Sequence, residues 1–186
     1  MTPAAQTAWY ILSACLVVSR ILRLRLGLVP ALILSLVFVL IGYPYLRGFV
    51  GDLSVTLTLI LLFEFPKTDF FGASKDTRWP RGASILLGAG LILYPSSIFV
   101  LPWHAYEWGF SGSGYFLLML VLFLGAGIYW YWRRSPLAVV LLLTLAAYHA
   151  RLLESDNLWD YLIDPILFLW AAGEILLALA RKCRKG

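Results

Sequence analysis

Three aspartates at regular spacing are the first residues of this sequence that suggest chemistry. Asp156, Asp160 and Asp164 recur at every fourth position, so they would line one face if the segment were a single helix. Like charges at this spacing repel one another by roughly a few tenths of a kcal/mol per pair. We therefore expect a compensating group, which can be Arg151, Arg47, a histidine, a metal ion or a cationic ligand.

A structural interpretation of the same aspartates is also open. Asp164 directly precedes Pro165. This order is typical of a helix N-terminus, where an aspartate caps the first turn and proline takes the first helical position. Asp156 and Asp160 would then belong to a short, hydrated turn at a membrane surface. The sequence alone supports both interpretations.

Two histidines and a glutamate extend the set of candidate catalytic residues. His104 and Glu107 lie three residues apart, which can place both on one helical face, and His149 ends an apolar stretch. Imidazole and carboxylate groups act as general acids and bases and as ligands of divalent metals. The sequence identifies neither a metal nor another cofactor. The candidate catalytic residues are Asp156, Asp160, Asp164, His104, Glu107 and His149.

Candidates for substrate binding lie close to these residues. Arg47 and Arg151 are two cations of the same predicted side, and Trp159 stands within the aspartate run. A guanidinium group binds phosphate through parallel hydrogen bonds, so Arg151 suits a phosphate-bearing substrate. Trp159 alternatively anchors a helix end at the membrane surface, where amphipathic rings are common.

Composition predicts the kind of element that positions these side chains. Of the 186 residues, 61% are hydrophobic and 13% are charged, whereas about a quarter of the residues in a soluble domain are charged. The mean hydropathy is +0.84. A soluble core cannot absorb so many apolar side chains, so we expect a single integral membrane domain over residues 1–186.

Six apolar stretches are long enough to cross a membrane, since a span needs about 17–20 residues. They predict an all-α fold, a polytopic bundle of about six transmembrane helices. An earlier and shorter stretch, Ala8–Val18, can lie at the interface or cross as an additional span, and we favour the interface. The six stretches are Leu26–Leu46, Phe49–Phe65, Ala83–Leu101, Tyr115–Trp132, Leu137–Leu153 and Leu158–Ala180.

The cations predict the orientation of this bundle. When loops are assigned alternately to the two sides, every lysine and arginine except Arg47 and Arg151 falls on one side. Cations beside short loops mark the cytoplasmic side. We therefore expect a multi-pass protein of the bacterial cytoplasmic (inner) membrane with a cytoplasmic C-terminus. Because the basic residues form no single patch, nucleic acid is not an expected partner.

Small residues cluster in three of the predicted spans, at 88–90, 125–127 and 171–173. Such clusters let helices approach closely in lipid. Besides the lipid bilayer, we therefore expect a partner membrane protein or self-association through these helix faces, although packing within the chain is an alternative.

Three classes of function fit the sequence. The favoured one is a small accessory or partner subunit of a cell-envelope enzyme or transport system, because the loops are short and no complete catalytic set is present. The second is a membrane-embedded enzyme that acts on a lipid or lipid-linked substrate at the outer interface through the acidic, histidine and arginine residues above. The third is a small transporter, for which Gly42 with Pro44, Pro95 and Glu174 are slight indications.

Overall fold

A computed structural model describes residues 3–26, 28–64, 81–98, 104–110, 112–133 and 136–184. Within these ranges every regular element is a helix, so the all-α prediction is confirmed. The predicted span ends Phe65 and Leu101, and the basic loop at 65–80, lie outside the described residues. The α-helices are α1 (Pro3–Leu26), α2 (Leu28–Val50), α3 (Val55–Glu64), α4 (Arg81–Ile98), α5 (Gly112–Arg133), α6 (Pro136–His149), α7 (Leu158–Leu162) and α8 (Pro165–Cys183), and a 3₁₀ turn spans Glu107–Gly109.

Helix α3 forms the centre of the packing. Val55, Leu57 and Ile60 are all buried on it, and the helix contacts α1, α6 and α7. A helix that is apolar on all sides is expected to be surrounded by protein or lipid. Here its first two turns are surrounded by the other helices of the chain.

Buried hydroxyl groups link α3 to its neighbours. The Thr58 hydroxyl donates to Ser13 Oγ of α1 at 2.7 Å, and the Thr56 and Thr144 hydroxyls of α3 and α6 lie 3.1 Å apart. All four side chains are buried. Buried hydroxyls need such partners because an unpaired one costs free energy.

Helix α2 lies at the edge and packs mainly on α1. Its buried residues Ala31, Ser35 and Val39 recur at every fourth position and form one narrow stripe. Large apolar residues between them, such as Ile33 and Ile41, are exposed. So wide an apolar surface is unusual on a soluble monomer.

The remaining helices form two packed pairs. Gly90 of α4 lies against Phe168 of α8, whose ring a larger side chain at position 90 would overlap. The Tyr94 and Phe168 rings meet edge to face with centroids 5.1 Å apart. Helix α5 packs on α6 through residues that include Leu118 and Leu145, and the α5 surface turned away from α6 is apolar and exposed.

The break between α2 and α3 lies later than predicted. The predicted span Phe49–Phe65 starts too early, because α2 continues to Val50. Gly51 then adopts a φ of 76°, a left-handed conformation that glycine takes without steric cost. Ser54 Oγ accepts a hydrogen bond from the Leu57 N–H at 3.1 Å and thereby caps α3.

The predicted last span, Leu158–Ala180, consists of two helices in the structure. Ile163 and Asp164 are extended between α7 and α8. Asp164 caps α8 by accepting from the Leu167 N–H at 2.7 Å, and Pro165 follows at the helix start. The interpretation of the three aspartates as one helical face is therefore wrong, and the capping role of Asp164 is confirmed.

One helical segment among the described residues, Pro3–Leu22 of α1, is both long and apolar enough to cross a membrane by length and composition. Helix α1 extends well beyond Ala8–Val18, and its 24 residues span about 36 Å at about 1.5 Å per residue. The six predicted spans are not confirmed by this criterion. The shorter apolar segments are Val29–Tyr43, Ala83–Ser96, Gly112–Ile128 and Ala138–His149.

Candidate functional site

The loops that carry the predicted site residues meet at one end of the bundle. We call residues 47–54, 104–110 and 149–164 the polar end. Three contacts hold these segments together: Arg47 with Glu154, Ser54 with Asp164, and Tyr106 with Asp160. All nine candidate site residues lie within the polar end, but they divide into residues with structural partners, the exposed His104–Glu107 pair and residues that face an open cleft.

Arg47 belongs to the first group. Its guanidinium contacts Asp52 at 3.1 Å and Glu154 at 2.8 Å and donates to the Tyr43 hydroxyl at 3.1 Å. It also lies 5.8 Å from the centre of the Tyr10 ring. These contacts join α1, α2 and the segment after α6, so Arg47 acts as a clamp that already uses three of its nitrogen atoms.

Asp164 is buried and bonded on both carboxylate oxygens. Oδ2 accepts from the Ser54 N–H at 2.8 Å and Oδ1 from the Leu167 N–H at 2.7 Å. Burial raises the pKa of this carboxyl group, and the two N–H donors oppose that effect. The compensation expected from a cation or metal is supplied here by backbone N–H groups.

Asp160 is also compensated without a cation. Its carboxylate accepts hydrogen bonds from the Tyr106 hydroxyl, at 3.2 Å, and from the Ser155 hydroxyl. Burial and the nearby Asp160 carboxylate raise the pKa of Tyr106, which keeps this phenol neutral and able to donate. Asp160 thus links α7 to residues 104–110, which we call the 3₁₀-turn segment.

Asn157 is a central residue that was absent from the sequence-based candidates. It is fully buried, its Nδ2 donates to the Tyr106 carbonyl at 3.1 Å, and its Oδ1 accepts from the Trp159 N–H at 2.9 Å. A side chain at Gly109 would overlap Oδ1. The signal for its capping role was its residue type just before Leu158, since asparagine is a preferred N-cap.

Trp159 has a structural role in this arrangement. Its indole Nε1 donates to the Ala105 carbonyl at 2.8 Å, and the side chain is half-buried. Because a buried indole N–H requires an acceptor, this bond fixes the ring between α7 and the 3₁₀-turn segment. Trp159 therefore does not face outward as a free substrate contact.

His104 and Glu107 are exposed and contact each other. His104 Nδ1 lies 3.8 Å from a Glu107 carboxylate oxygen, in the three-residue spacing noted in the sequence. Among the described residues, no three His, Cys, Asp or Glu side chains are grouped so that they could hold one metal ion. The pair is a solvent-facing contact at the polar end.

His149, Arg151 and Asp156 are exposed and line one cleft, which we call the outer cleft. Its volume is about 470 Å³. Arg151 has a φ of 51°, the left-handed conformation that non-glycine residues rarely adopt. The cleft combines a guanidinium, an imidazole and a carboxylate with aromatic rings, which suits binding of a charged amphipathic molecule. The other lining residues are Phe110, Gly112, Tyr115, Phe116, Tyr148 and Ser155.

Comparisons of the chain with protein-family models, with curated proteins and with solved structures find no match. Function is therefore inferred from the geometry of this chain.

Proposed function

We propose that the protein is a multi-pass subunit of the bacterial cytoplasmic membrane that docks beside a larger cell-envelope enzyme or transport system. Its crossing helices are α1 to α6 and α8, its polar end faces outward, and its C-terminus is cytoplasmic. The exposed apolar helix surfaces with open glycine positions carry the proposal.

The contacts of the polar end support this orientation. Each ties together loops that the charge pattern assigns to the outer side, as Arg47 with Glu154 and Tyr106 with Asp160 do. Gln6 of α1 donates to the Leu153 carbonyl at 3.3 Å, so the first turns of α1 lie at the same end. Counting α1 as a crossing helix keeps every later loop on its predicted side and moves the N-terminus outward.

The open glycine positions support a docking role. Some helix glycines face a neighbour within the chain, as at Gly90, where a Cβ would overlap Phe168. A Cβ at Gly88, Gly125 or Gly173 would meet no atom within 4 Å. Because a small residue on a lipid-facing helix lets another helix approach closely, these positions suit a helix of a second protein.

The polar end supports a subunit more than an enzyme. Asp160 and Asp164 already accept hydrogen bonds from groups of the chain, and Arg47 is clamped by two carboxylates. A catalytic acid or base must instead reach a substrate proton. The most regular acidic pattern of the sequence is thus explained by folding.

Co-purification from native membranes in mild detergent tests the docking role. We expect one membrane protein to elute with the tagged chain at constant stoichiometry, and we expect Gly125→Leu, Gly88→Leu or Gly173→Leu to release it without loss of folding. Leu124→Ile on α5 is the control, because it keeps the exposed surface. A partner that survives all three glycine variants, or no stoichiometric partner at all, contradicts the proposal.

Cysteine labelling tests the orientation separately. Ala150 is exposed in the loop after α6, and the native Cys183 is exposed at the end of α8. In intact cells, a membrane-impermeant maleimide should label Ala150→Cys and leave Cys183 unlabelled. Inverted vesicles should show the reverse pattern, and labelling of Cys183 from outside would overturn the orientation.

The outer cleft favours a second function, the binding or conversion of a lipid or lipid-linked substrate at the outer interface. His149 and Asp156 are the exposed acid and base candidates there, and Arg151 is the phosphate-binding candidate. If the protein is an enzyme, His149→Ala and Asp156→Asn should abolish turnover while folding is kept. Full activity of both variants would exclude this cleft as the active site.

A further inference from the structure

Arg151 is the most unusual residue of the outer cleft. It is the non-glycine residue with positive φ in the described part of the chain, and its N–H donates to the Tyr148 carbonyl at 2.9 Å. Residues other than glycine rarely adopt this left-handed conformation. No hydrogen bond or salt bridge joins its guanidinium to another described residue. The left-handed conformation belongs to the end of α6, because the Leu152 N–H also donates to the Ala147 carbonyl at 3.0 Å and completes a Schellman motif. The guanidinium of Arg151 is exposed beyond this helix end.

Asp156 presents the opposite charge in the same cleft. Its side chain is exposed, and its backbone is fixed because its carbonyl accepts from the Tyr148 hydroxyl at 3.1 Å. It forms no salt bridge with Arg151. The neighbouring Ser155 hydroxyl is already bonded to Asp160. The cleft therefore offers one cationic and one anionic group that are separate and unneutralised.

An aromatic wall completes the outer cleft. Phe110 is 49% exposed and Phe116 is 72% exposed, and the Tyr115 ring lies 5.8 Å from the Phe116 ring. Aromatic rings at a membrane surface contact the region where head groups meet acyl chains. The volume of about 470 Å³ lies within the range of about 300–1,000 Å³ of small-molecule sites.

We propose that the outer cleft binds a phosphate ester that carries a primary amine, the chemistry of a phosphatidylethanolamine head group. Arg151 binds the phosphate, Asp156 accepts from the ammonium group, and Phe116 contacts the first part of an acyl chain. The bilayer and a soluble glycerophosphoethanolamine are two sources of this chemistry. The lipid source rests on the proposed outward position of the polar end, whereas the site itself does not depend on a partner protein.

Lipid binding to the purified protein in detergent tests the proposal by native mass spectrometry. The probes are dioctanoyl phosphatidylethanolamine, phosphatidylglycerol and phosphatidylcholine. Phosphatidylethanolamine should bind about tenfold more tightly than phosphatidylcholine, whose quaternary amine has no N–H to donate to Asp156, and tenfold corresponds to about 1.4 kcal/mol. Equal affinity for the three lipids would overturn the proposal.

Two variants of the outer cleft test which side chain binds the phosphate and which binds the ammonium group. Arg151→Gln should weaken the binding of phosphatidylethanolamine and of phosphatidylglycerol equally, by about tenfold. Asp156→Asn should remove the preference for phosphatidylethanolamine over phosphatidylglycerol, because only the ammonium contact is lost. The control is Arg184→Gln, which removes an exposed cation after α8 and should leave the affinity for both lipids unchanged. Unchanged binding by Arg151→Gln, with folding verified by thermal unfolding, would refute the site.

Competition with glycerophosphoethanolamine separates the two sources. Displacement at the concentrations that displace the dioctanoyl lipid supports a soluble ligand, and displacement of the lipid only by other lipids supports the bilayer. Either outcome supports a ligand that carries a phosphate ester and a primary amine. Because binding in detergent does not depend on sidedness, a wrong orientation would appear in the cysteine labelling and not in this assay.

Discussion

The residues from His149 to Pro165 form two regions with opposite characters. The first region is residues 157–164, before α8, which we call the joint. Its residues Asn157, Asp160 and Asp164 form hydrogen bonds to neighbouring segments and are buried or half-buried. In the outer cleft, His149, Arg151 and Asp156 are exposed, and none of them forms a salt bridge with another described residue. The comparison shows that acidic residues of one short segment differ in burial and in hydrogen-bond partners, and that their spacing in the sequence does not reveal this difference.

The largest difference is expected between Asp164→Ala and Asp156→Ala. Loss of the Asp164 carboxylate removes the cap of α8 and leaves the buried Ser54 N–H unpaired. A lost cap costs about 0.5–2 kcal/mol and an unpaired buried donor about 1–3 kcal/mol, so we expect a decrease of about 2–4 kcal/mol in stability. Thermal unfolding in detergent measures it. Asp156→Ala should leave the unfolding temperature nearly unchanged, and equal losses would erase the distinction between joint and cleft.

A smaller loss is expected when the joint is crowded. Gly109→Ala places a methyl group on the Asn157 side-chain oxygen and should cost about 1–3 kcal/mol, the usual effect of overpacking. Gly125→Ala on α5 is the matched control. It meets no atom within 4 Å and should be neutral or stabilising, because alanine favours a helix over glycine by up to about 1 kcal/mol. Tolerance of alanine at position 109 would contradict the described packing.

The two outer arginines should respond in opposite directions. Arg47→Gln removes contacts to two carboxylates and should lower stability by about 1–2 kcal/mol, because charged hydrogen bonds are lost. The unfolding temperature in detergent reports this loss, and Glu154→Gln should lower it less, since Glu154 is more exposed.

Arg151→Gly should raise stability, since glycine adopts the left-handed conformation without strain. After allowance for the greater freedom of glycine in the unfolded chain, we expect a gain of about 0.5–1 kcal/mol. The same variant should lose phosphatidylethanolamine binding. A destabilised Arg151→Gly would show that the guanidinium supports the fold and is not reserved for a ligand.

The smallest effect is a pH dependence of the joint. Burial raises the pKa of Asp164 above its ordinary value of 3.8, so the folded protein binds this proton more tightly than the unfolded chain does. The resulting stabilisation is present below the ordinary pKa and is lost as the pH rises through the raised pKa. Wild type should therefore lose stability relative to Asp164→Asn as the pH increases. A relative gain by wild type over this range would contradict the raised pKa, and Asp156→Asn is the control.

Local structure was largely predictable from the sequence. Apolar runs indicate where helices lie, and Pro136 and Pro165 mark the starts of α6 and α8 because proline is tolerated in the first turn. Gly51 and Ser54 carry the signals of a helix end and a helix cap, and reading them together would have placed the break before α3 correctly. The extent of α1 was missed because its polar first turns do not resemble a membrane span.

The partners within the polar end were not predictable in the same way. Assigning successive loops to alternate sides of the membrane places Arg47, Glu154 and Asp160 on one side. It does not predict that Arg47 contacts Glu154 or that Asp160 accepts a hydrogen bond from Tyr106. Those pairings depend on how α2, α6 and the 3₁₀-turn segment are arranged in space. Asn157 was overlooked for the same reason, since its amide bonds a carbonyl 51 residues away.

The hydroxyl pairs of α3 impose an order on assembly during synthesis. Thr58 can bond Ser13 as soon as α1 and α3 have left the ribosome, whereas the partner of Thr56, Thr144, lies 88 residues further along the chain. The other partner of Thr56, the Tyr161 carbonyl at 3.2 Å, comes later still. The central helix is therefore completed by late segments of the chain, because the two partners of Thr56 follow it by 88 and 105 residues.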